Sequence, residues 1–495
     1  MTSLTRRDLL RSGLALSAST LVAGSVGRAH ALMAGYPGAA SAEAMSAVAP
    51  REHLLFDFGW KFFQGNASDP KRDLGFGMGQ GDFAKSGEFE FATAKFDDSK
   101  WRNLNLPHDW AVELPFVHDE EQNSHGYKPL GRRYPETSVG WYRRTFDIPK
   151  DDGGRRITIE FDGAFRSALV FLNGYFVGRN DNGYAPFRFD VTDFLNYGGK
   201  NFLMVRMDAS FGDGWFYEGA GIYRHVWLTK TDALHLGHWE STVRTKIEGD
   251  TARLSLSTIV HNDARPLELC RVRWQILDPA GKTVATTGDS QEQPVAPILP
   301  AEFGAATSIP NPALWSPEAP NLYSAIVTIE SNGKVRDAER ISFGIRDLKW
   351  DADKGFFLNG KSVKIKGTCN HHDHAGVGAA LPDQLQRYRV AVLKDMGGNA
   401  VRTSHNMPTP EWVEACDRLG MMMMCETRLM SANPEGMAQL EAMVKRYRNS
   451  PSIILWSMGN EEWTMMFQPQ GPRVIDDMIA RTHELDPTRL CTAAI

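Results

Sequence analysis

Residues 400–426 read Ala400-Val-Arg-Thr-Ser-His-Asn-Met-Pro-Thr-Pro-Glu-Trp-Val-Glu-Ala-Cys-Asp-Arg-Leu-Gly-Met-Met-Met-Met-Cys-Glu426, and their punctuation decides the fold. Ala400 to Thr403 reads as a short strand. Thr409 and Pro410 are the residue types of a helix N-cap and first helical position, and Gly420 is the type that stops a helix. Met421 to Cys425 then runs apolar, as a strand covered on both faces does, so we read the methionines as buried strand rather than a metal-binding tract. Strand, helix and strand in so short a span imply a parallel pair joined by a helical crossover.

The same alternation continues on both sides. Upstream, Val363 to Gly367 reads as a strand, followed by a helix over Asp383 to Met396 that Gly397-Gly398 closes. Downstream come a helix over Pro434 to Tyr447, a strand over Ile453 to Met458 and a fifth strand over Leu490 to Ile495. Repeated βα units of this kind build a TIM barrel most economically. Residues 346–495 are about 150, whereas a whole (β/α)₈ barrel takes about 250, so the expectation is the N-terminal part of a barrel, incomplete at its C-terminal side.

Before the barrel no helical period is sustained. Residues 51–232 carry short segments at Ile157 to Phe161, Ala168 to Leu172, Tyr175 to Val177, Phe202 to Met207 and Val226 to Leu228, with Asn173-Gly174 as a type I′ hairpin signal. A jelly-roll β-sandwich is expected there. Residues 233–345, with strands at Leu254 to Val260, Leu267 to Leu277 and Ala325 to Glu330, have the size and spacing of an immunoglobulin-like sandwich. The fold class is therefore multidomain β plus α/β.

Composition narrows the partners. Lys+Arg 55 against Asp+Glu 60 gives a net charge of -5 over 495 residues, which offers no electrostatic case for nucleic acid. After the first thirty residues no apolar run approaches the roughly 18 that span a bilayer, so no membrane insertion is expected. The five cysteines form no CxxC pair and are read as buried thiols. Thr5-Arg6-Arg7-Asp8-Leu9-Leu10-Arg11, the apolar Leu14 to Val26 and Ala29-His30-Ala31 follow the layout of a twin-arginine signal over 1–31, with 32–50 as linker. A periplasmic or secreted location follows from that reading.

In a TIM barrel the chemistry lies at the carboxyl ends of the strands. Those ends read Asn370-His371-His372-Asp373-His374, Ser404-His405-Asn406, Glu426 and Gly459-Asn460-Glu461-Glu462-Trp463. The histidines are open to three readings, metal binding, sugar contact and structural support, of which consecutive spacing makes metal the weakest. Glu461, read as lying beside Trp463 in an apolar mouth, is the candidate general acid. Asn460 can bond a substrate hydroxyl without altering the proton balance, and Glu462 is read as a supporting or solvated carboxylate.

At Leu106-Pro-His-Asp-Trp110, Gly140-Trp-Tyr-Arg-Arg144, Gly221-Ile-Tyr-Arg224, Leu314-Trp-Ser-Pro317, Val401-Arg-Thr-Ser-His-Asn406 and Trp456-Ser-Met-Gly-Asn-Glu461 the chain resembles glycoside hydrolase family 2. The resemblance implies a retaining exo-β-glycosidase acting on a carbohydrate substrate, with β-galactosidase ranked above β-glucuronidase and β-mannosidase. It implies Glu461 as acid/base, Asn460 at the sugar 2-hydroxyl, and His372 and His405 lining the sugar. It further implies that Arg402 holds that region, that Glu426 is a further substrate-site residue, and that Asp208 resembles the carboxylate that the jelly roll projects toward the sugar. Two departures stand out: Cys425 replaces the family's Asp before Glu426, and the Glu-x-His of the family's magnesium site is absent from residues 427–433. No metal and no cofactor are expected. The family's nucleophile follows the seventh barrel strand, so none is expected in this chain, which alone should be nearly inactive. A catalytically dead carbohydrate-binding module and a truncated open reading frame are the alternatives, and an oligomer is possible.

Overall fold

The computed structural model describes residues 51–78, 89–123, 125–213, 216–289 and 291–494. The signal and linker readings over 1–50 lie outside the described residues.

Residues 52–231 form two antiparallel sheets, one of six strands and one of four. The six-stranded sheet is built around Val139–Ile148 paired with Gly199–Asp208 in the register Val139 to Asp208. The four-stranded sheet runs Glu52–Leu55, Val226–Thr231, Arg156–Phe161, Phe187–Asp190. Their facing sides bury Trp60, Trp110, Tyr142, Phe161 and Phe165. Each such aromatic removes roughly 150–250 Å² from water, which makes this core the main driving force for the domain. The hairpin forms as its sequence dictates: Asn173 (φ 52°) and Gly174 (φ 88°) turn Leu172 back onto Tyr175.

Residues 234–343 form the second sandwich. Thr251–Asn262, Ala301–Pro310 and two shorter strands make one sheet, and Glu268–Leu277, Tyr323–Ser331 and Lys334–Phe343 carry the other. Trp274 lies buried between them.

A small antiparallel sheet over residues 348–362 leads into five parallel strands in sequential order. They are β1 (Gly367–Asn370), β2 (Ala400–Thr403), β3 (Met422–Glu426), β4 (Ile453–Asn460) and β5 (Leu490–Ala494). The helices between them are α1 (Asp383–Asp395), α2 (Pro410–Leu419), α3 (Pro434–Tyr447), α4 (Trp463–Met466) and α5 (Gly471–Leu485). Five strands of a TIM barrel are thus in place. Thr409 caps α2 by accepting from the Trp412 amide at 3.2 Å, and Gly420 ends it in the left-handed region at φ 72°. Met422 and Met423 are fully buried, as the strand reading required.

Three expectations need correction. The first barrel strand is Gly367–Asn370 rather than Val363 to Gly367, because Lys361–Ser362 still belongs to the preceding sheet and Asn399 holds the backbone of Lys364 and Lys366 before pairing begins. Helix α5 was not foreseen. Its buried stripe is thin (Val474, Met478, Thr482, Leu485), its N-cap position is Gln470 with no capping bond, and Gly471-Pro472 reads as a turn. Of the cysteines, Cys369 is exposed and Cys491 half-buried, since both sit on the two edge strands of the sheet; Cys270, Cys416 and Cys425 are buried.

Candidate active site

The ends of β2, β3 and β4 place one charged network at the barrel mouth. Glu426, the last residue of β3, is fully buried. Its Oε1 faces His405 Nδ1 at 2.7 Å, and its Oε2 accepts from Arg402 Nε at 2.7 Å and Ser457 Oγ at 2.7 Å. Arg402 Nη2 donates onward to Asn460 Oδ1 at 2.6 Å. Arg402 therefore ties the sugar-facing candidates of β2 and β4 to a single carboxylate. The bonds form with Cys425 in the preceding position, whose thiol is buried in the strand, so the family's aspartate is not required for them. With both oxygens engaged inside the protein, Glu426 positions Arg402 and His405 and, through Arg402, Asn460.

His372 sits across the mouth after β1. Its Nδ1 accepts from Asn406 Nδ2 at 2.9 Å. The ring packs against Tyr184 at 5.5 Å and Tyr223 at 5.6 Å, both from the jelly roll. Burial pushes this imidazole down to about 3, with the nearby Arg224 guanidinium acting in the same direction, so the ring is neutral at physiological pH. The sequence assigned neither tyrosine a role, although Tyr223 lies in the quoted Gly221-Ile-Tyr-Arg224. Arg224 reaches the barrel itself, donating to the Met407 carbonyl at 2.8 Å. Asp109, in the quoted Leu106-Pro-His-Asp-Trp110, accepts from the Ala220 amide, the Tyr217 hydroxyl and the Ala379 amide of the barrel at 2.9, 2.8 and 2.9 Å. These contacts make one wall of the site out of the jelly roll.

Glu461 follows β4 at φ 39° and is exposed. Its amide donates to the Ala494 carbonyl of β5 at 3.1 Å. The expectation of an apolar enclosure is not met: Trp463 is 61% exposed, stacked on the equally open Phe467 with centroids 5.7 Å apart. Glu462 pairs with Arg428 at 3.0 Å, the supporting part read for it. Asp208 ends the strand Gly199–Asp208. Its Oδ1 accepts from the Ser210 amide at 2.9 Å and its Oδ2 faces Arg206 at 3.3 Å, so its contacts stay inside the jelly roll. Asp213 of the same domain, paired with Arg166 at 2.8 Å, is close enough to Glu435 of α3 in the barrel to act on its titration.

Among the described residues, His225, Asp383 and Glu411 are the histidine and carboxylates close enough to share an ion, and none of the strand-end histidines joins such a group. That trio lies at the seam between jelly roll and barrel. His225 already bridges Asp57 at 2.5 Å and Asp383 at 2.8 Å, with Glu411 at 3.8 Å. Burial alone lowers such an imidazole, but its bonds to Asp383 and Asp57 outweigh burial and lift it to about 11, so the imidazolium itself is the cation there.

Comparison with known proteins agrees with the three-domain order. Residues 90–232 match the sugar binding domain of glycosyl hydrolases family 2, residues 238–346 match a second description of that family, and residues 351–494 match its TIM barrel domain. The chain belongs to glycoside hydrolase family 2. It is 35% identical over 430 residues to the β-galactosidase BoGH2A of Bacteroides ovatus, a match covering 84% of this chain and 47% of that protein. A putative β-glucuronidase of Formosa agariphila is 32% identical over 418 residues, 82% of this chain and 38% of that protein. Among solved structures, a family 2 member from Bacteroides cellulosilyticus superposes with a TM-score of 0.79 at 32% identity, covering 90% of this chain and 56% of that one. The chain thus spans about half the length of these relatives.

Proposed function

We propose that this chain supplies the sugar-binding wall and the acid/base side of a retaining exo-β-glycosidase, with a β-galactoside as substrate. Glu461 is the acid/base: it is an accessible carboxyl at a strand end, held in a backbone conformation that non-glycine residues avoid, beside Asn460. It would protonate the glycosidic oxygen and later take a proton from the attacking water. The neutral ring of His372 and the ring of His405 suit sugar hydroxyls, Asn460 the 2-hydroxyl, and the Trp463–Phe467 pair an apolar sugar face. The retaining route needs a second carboxylate about 5 Å from the first. Glu426 is consumed by Arg402, His405 and Ser457, and Glu462 by Arg428, so neither is free to be that nucleophile. We place the nucleophile on a later barrel strand and infer that the five strands alone turn over substrate barely, if at all.

A galactoside is favoured over a glucuronide by one observation. The arginines around the mouth, Arg402, Arg428 and Arg166, are each paired with a carboxylate of the chain, which leaves none of them for a uronate. The test is hydrolysis of aryl β-galactoside and aryl β-glucuronide by the native gene product purified from its host, with its intact mass measured alongside. A mass well above 55.2 kDa and galactoside turnover support the proposal. Preference for the glucuronide overturns the substrate assignment. The twin-arginine pattern supports export of the folded protein, which fractionation of the host would test.

A further inference from the structure

Behind the strand-end histidines, between the ends of β1 and β2 and the helices α1 and α2, lies a cavity of about 20 Å³. Its lining includes Arg389, Ser404 and Trp412. Each of these brings one buried polar atom with no hydrogen-bond partner: Arg389 Nη1, Ser404 Oγ and Trp412 Nε1. A guanidinium and an indole N–H can only donate, and a serine hydroxyl can donate, so the three together seek an acceptor. Arg389 also carries a charge. Its Nη2 donates to the His371 carbonyl at 2.6 Å and its guanidinium lies 5.1 Å from the Trp412 ring centre, but the acid that acts on it, Asp373, does so without an ion pair.

Partly burying a cation that has no ion-pair partner beside two unmet donors is costly, and unmet buried donors are rare in folded proteins. Water would meet the donors and leave the charge. The space exceeds the roughly 10–15 Å³ that a water-sized occupant needs and is far too small for a sugar ring. We propose that this cavity binds one monatomic anion of the chloride class, held by Arg389 Nη1, Trp412 Nε1 and Ser404 Oγ. The anion would sit behind the two loops that carry the site histidines, since Arg389 holds the His371 carbonyl and Ser404 directly precedes His405. The inference stands on the cavity and its donors and is independent of the substrate assigned above.

The test uses the full chain in chloride and in gluconate at equal ionic strength. Chloride at about ten times its dissociation constant should raise the unfolding midpoint by about 3–6 °C. Crystals grown in bromide should show an anomalous peak in the cavity. Ser404→Ala removes one donor with little change of volume and should weaken chloride about tenfold; Trp412→Phe, which removes the indole N–H and also enlarges the space, gives a second reading should the serine variant fail to fold. Equal midpoints in the two salts, water in place of bromide, or an unchanged chloride response in both variants would each overturn the proposal.

Discussion

Replacing Glu426 by Gln keeps the shape of the side chain and removes what the network depends on. The carboxylate takes four donors: Arg402 Nε at 2.7 Å and Nη2 at 2.5 Å, Ser457 Oγ at 2.7 Å, and His405 Nδ1 at 2.7 Å. An amide has one oxygen to accept with: placed toward Arg402 and Ser457 it leaves the amide N–H facing His405, which must then present Nδ1 as an acceptor. Arg402, with 14% of its side chain exposed, would also lose its counter-ion. Breaking a buried pair in this way costs about 3–5 kcal/mol, and the slight exposure of Arg402 and His405 argues for the lower end, about 3 kcal/mol. At about 2–4 °C per kcal/mol for a domain of this size, the barrel midpoint should fall by about 6–12 °C. Thermal and urea unfolding of wild type, Glu426→Gln, Arg402→Met and the double variant would measure both the loss and the coupling. A midpoint change under about 2 °C with coupling near zero would refute the idea that this carboxylate anchors the mouth.

Other outcomes follow from the same geometry. Glu461→Gln in the native gene product should cut turnover of unactivated substrates by about 10²–10⁴-fold, with a smaller loss on aryl glycosides whose leaving group needs no proton; equal loss on both would remove Glu461 from the acid role. His225 is raised from 6.5 to about 11, so the stability it lends the seam is fully present below about pH 6.5 and is lost as pH rises through about 11. Alkaline unfolding of His225→Ala should lack that component, and coincident curves would argue against it. Asp109→Ala should leave buried amides of Ala111, Ala220 and Ala379 without an acceptor and cost about 3 kcal/mol or more, read by urea denaturation. Gly420→Ala would set a Cβ 2.4 Å from the Pro317 carbonyl at φ 72° and should destabilise by about 1–3 kcal/mol, measured the same way.

Much of this was legible in the chain because the signals are local. Thr409, Pro410 and Gly420 carry their helix in their own chemistry, and Asn173-Gly174 carries its turn, so the sequence placed both. Helix α5 escaped because a thin apolar stripe behind Gly471-Pro472 has no local signature of its start. At the site, residues next to a strand end could be read from position alone, as with Glu461 and Asn460. Tyr184 and Arg224 could not, since their part depends on which face of the jelly roll meets the barrel, a relation between segments far apart in the chain. Asp208 shows the converse: the bonds it makes, to Ser210 and Arg206 of its own domain, could not be read from its place at a strand end.

The two tyrosines that hold His372 come off the ribosome well before it does. Tyr184 and Tyr223 belong to a sandwich whose sequence is complete near residue 231, while His372 follows more than a hundred residues later. Domains fold largely in the order of synthesis, so the emerging barrel meets a wall already built and need not hold its first strand end in place unaided. Circular permutation that moved the jelly roll behind the barrel would preserve every contact and reverse that order. Slower or less complete recovery of native protein from such a permutant, at unchanged final stability, would mark the jelly roll as a template for the barrel.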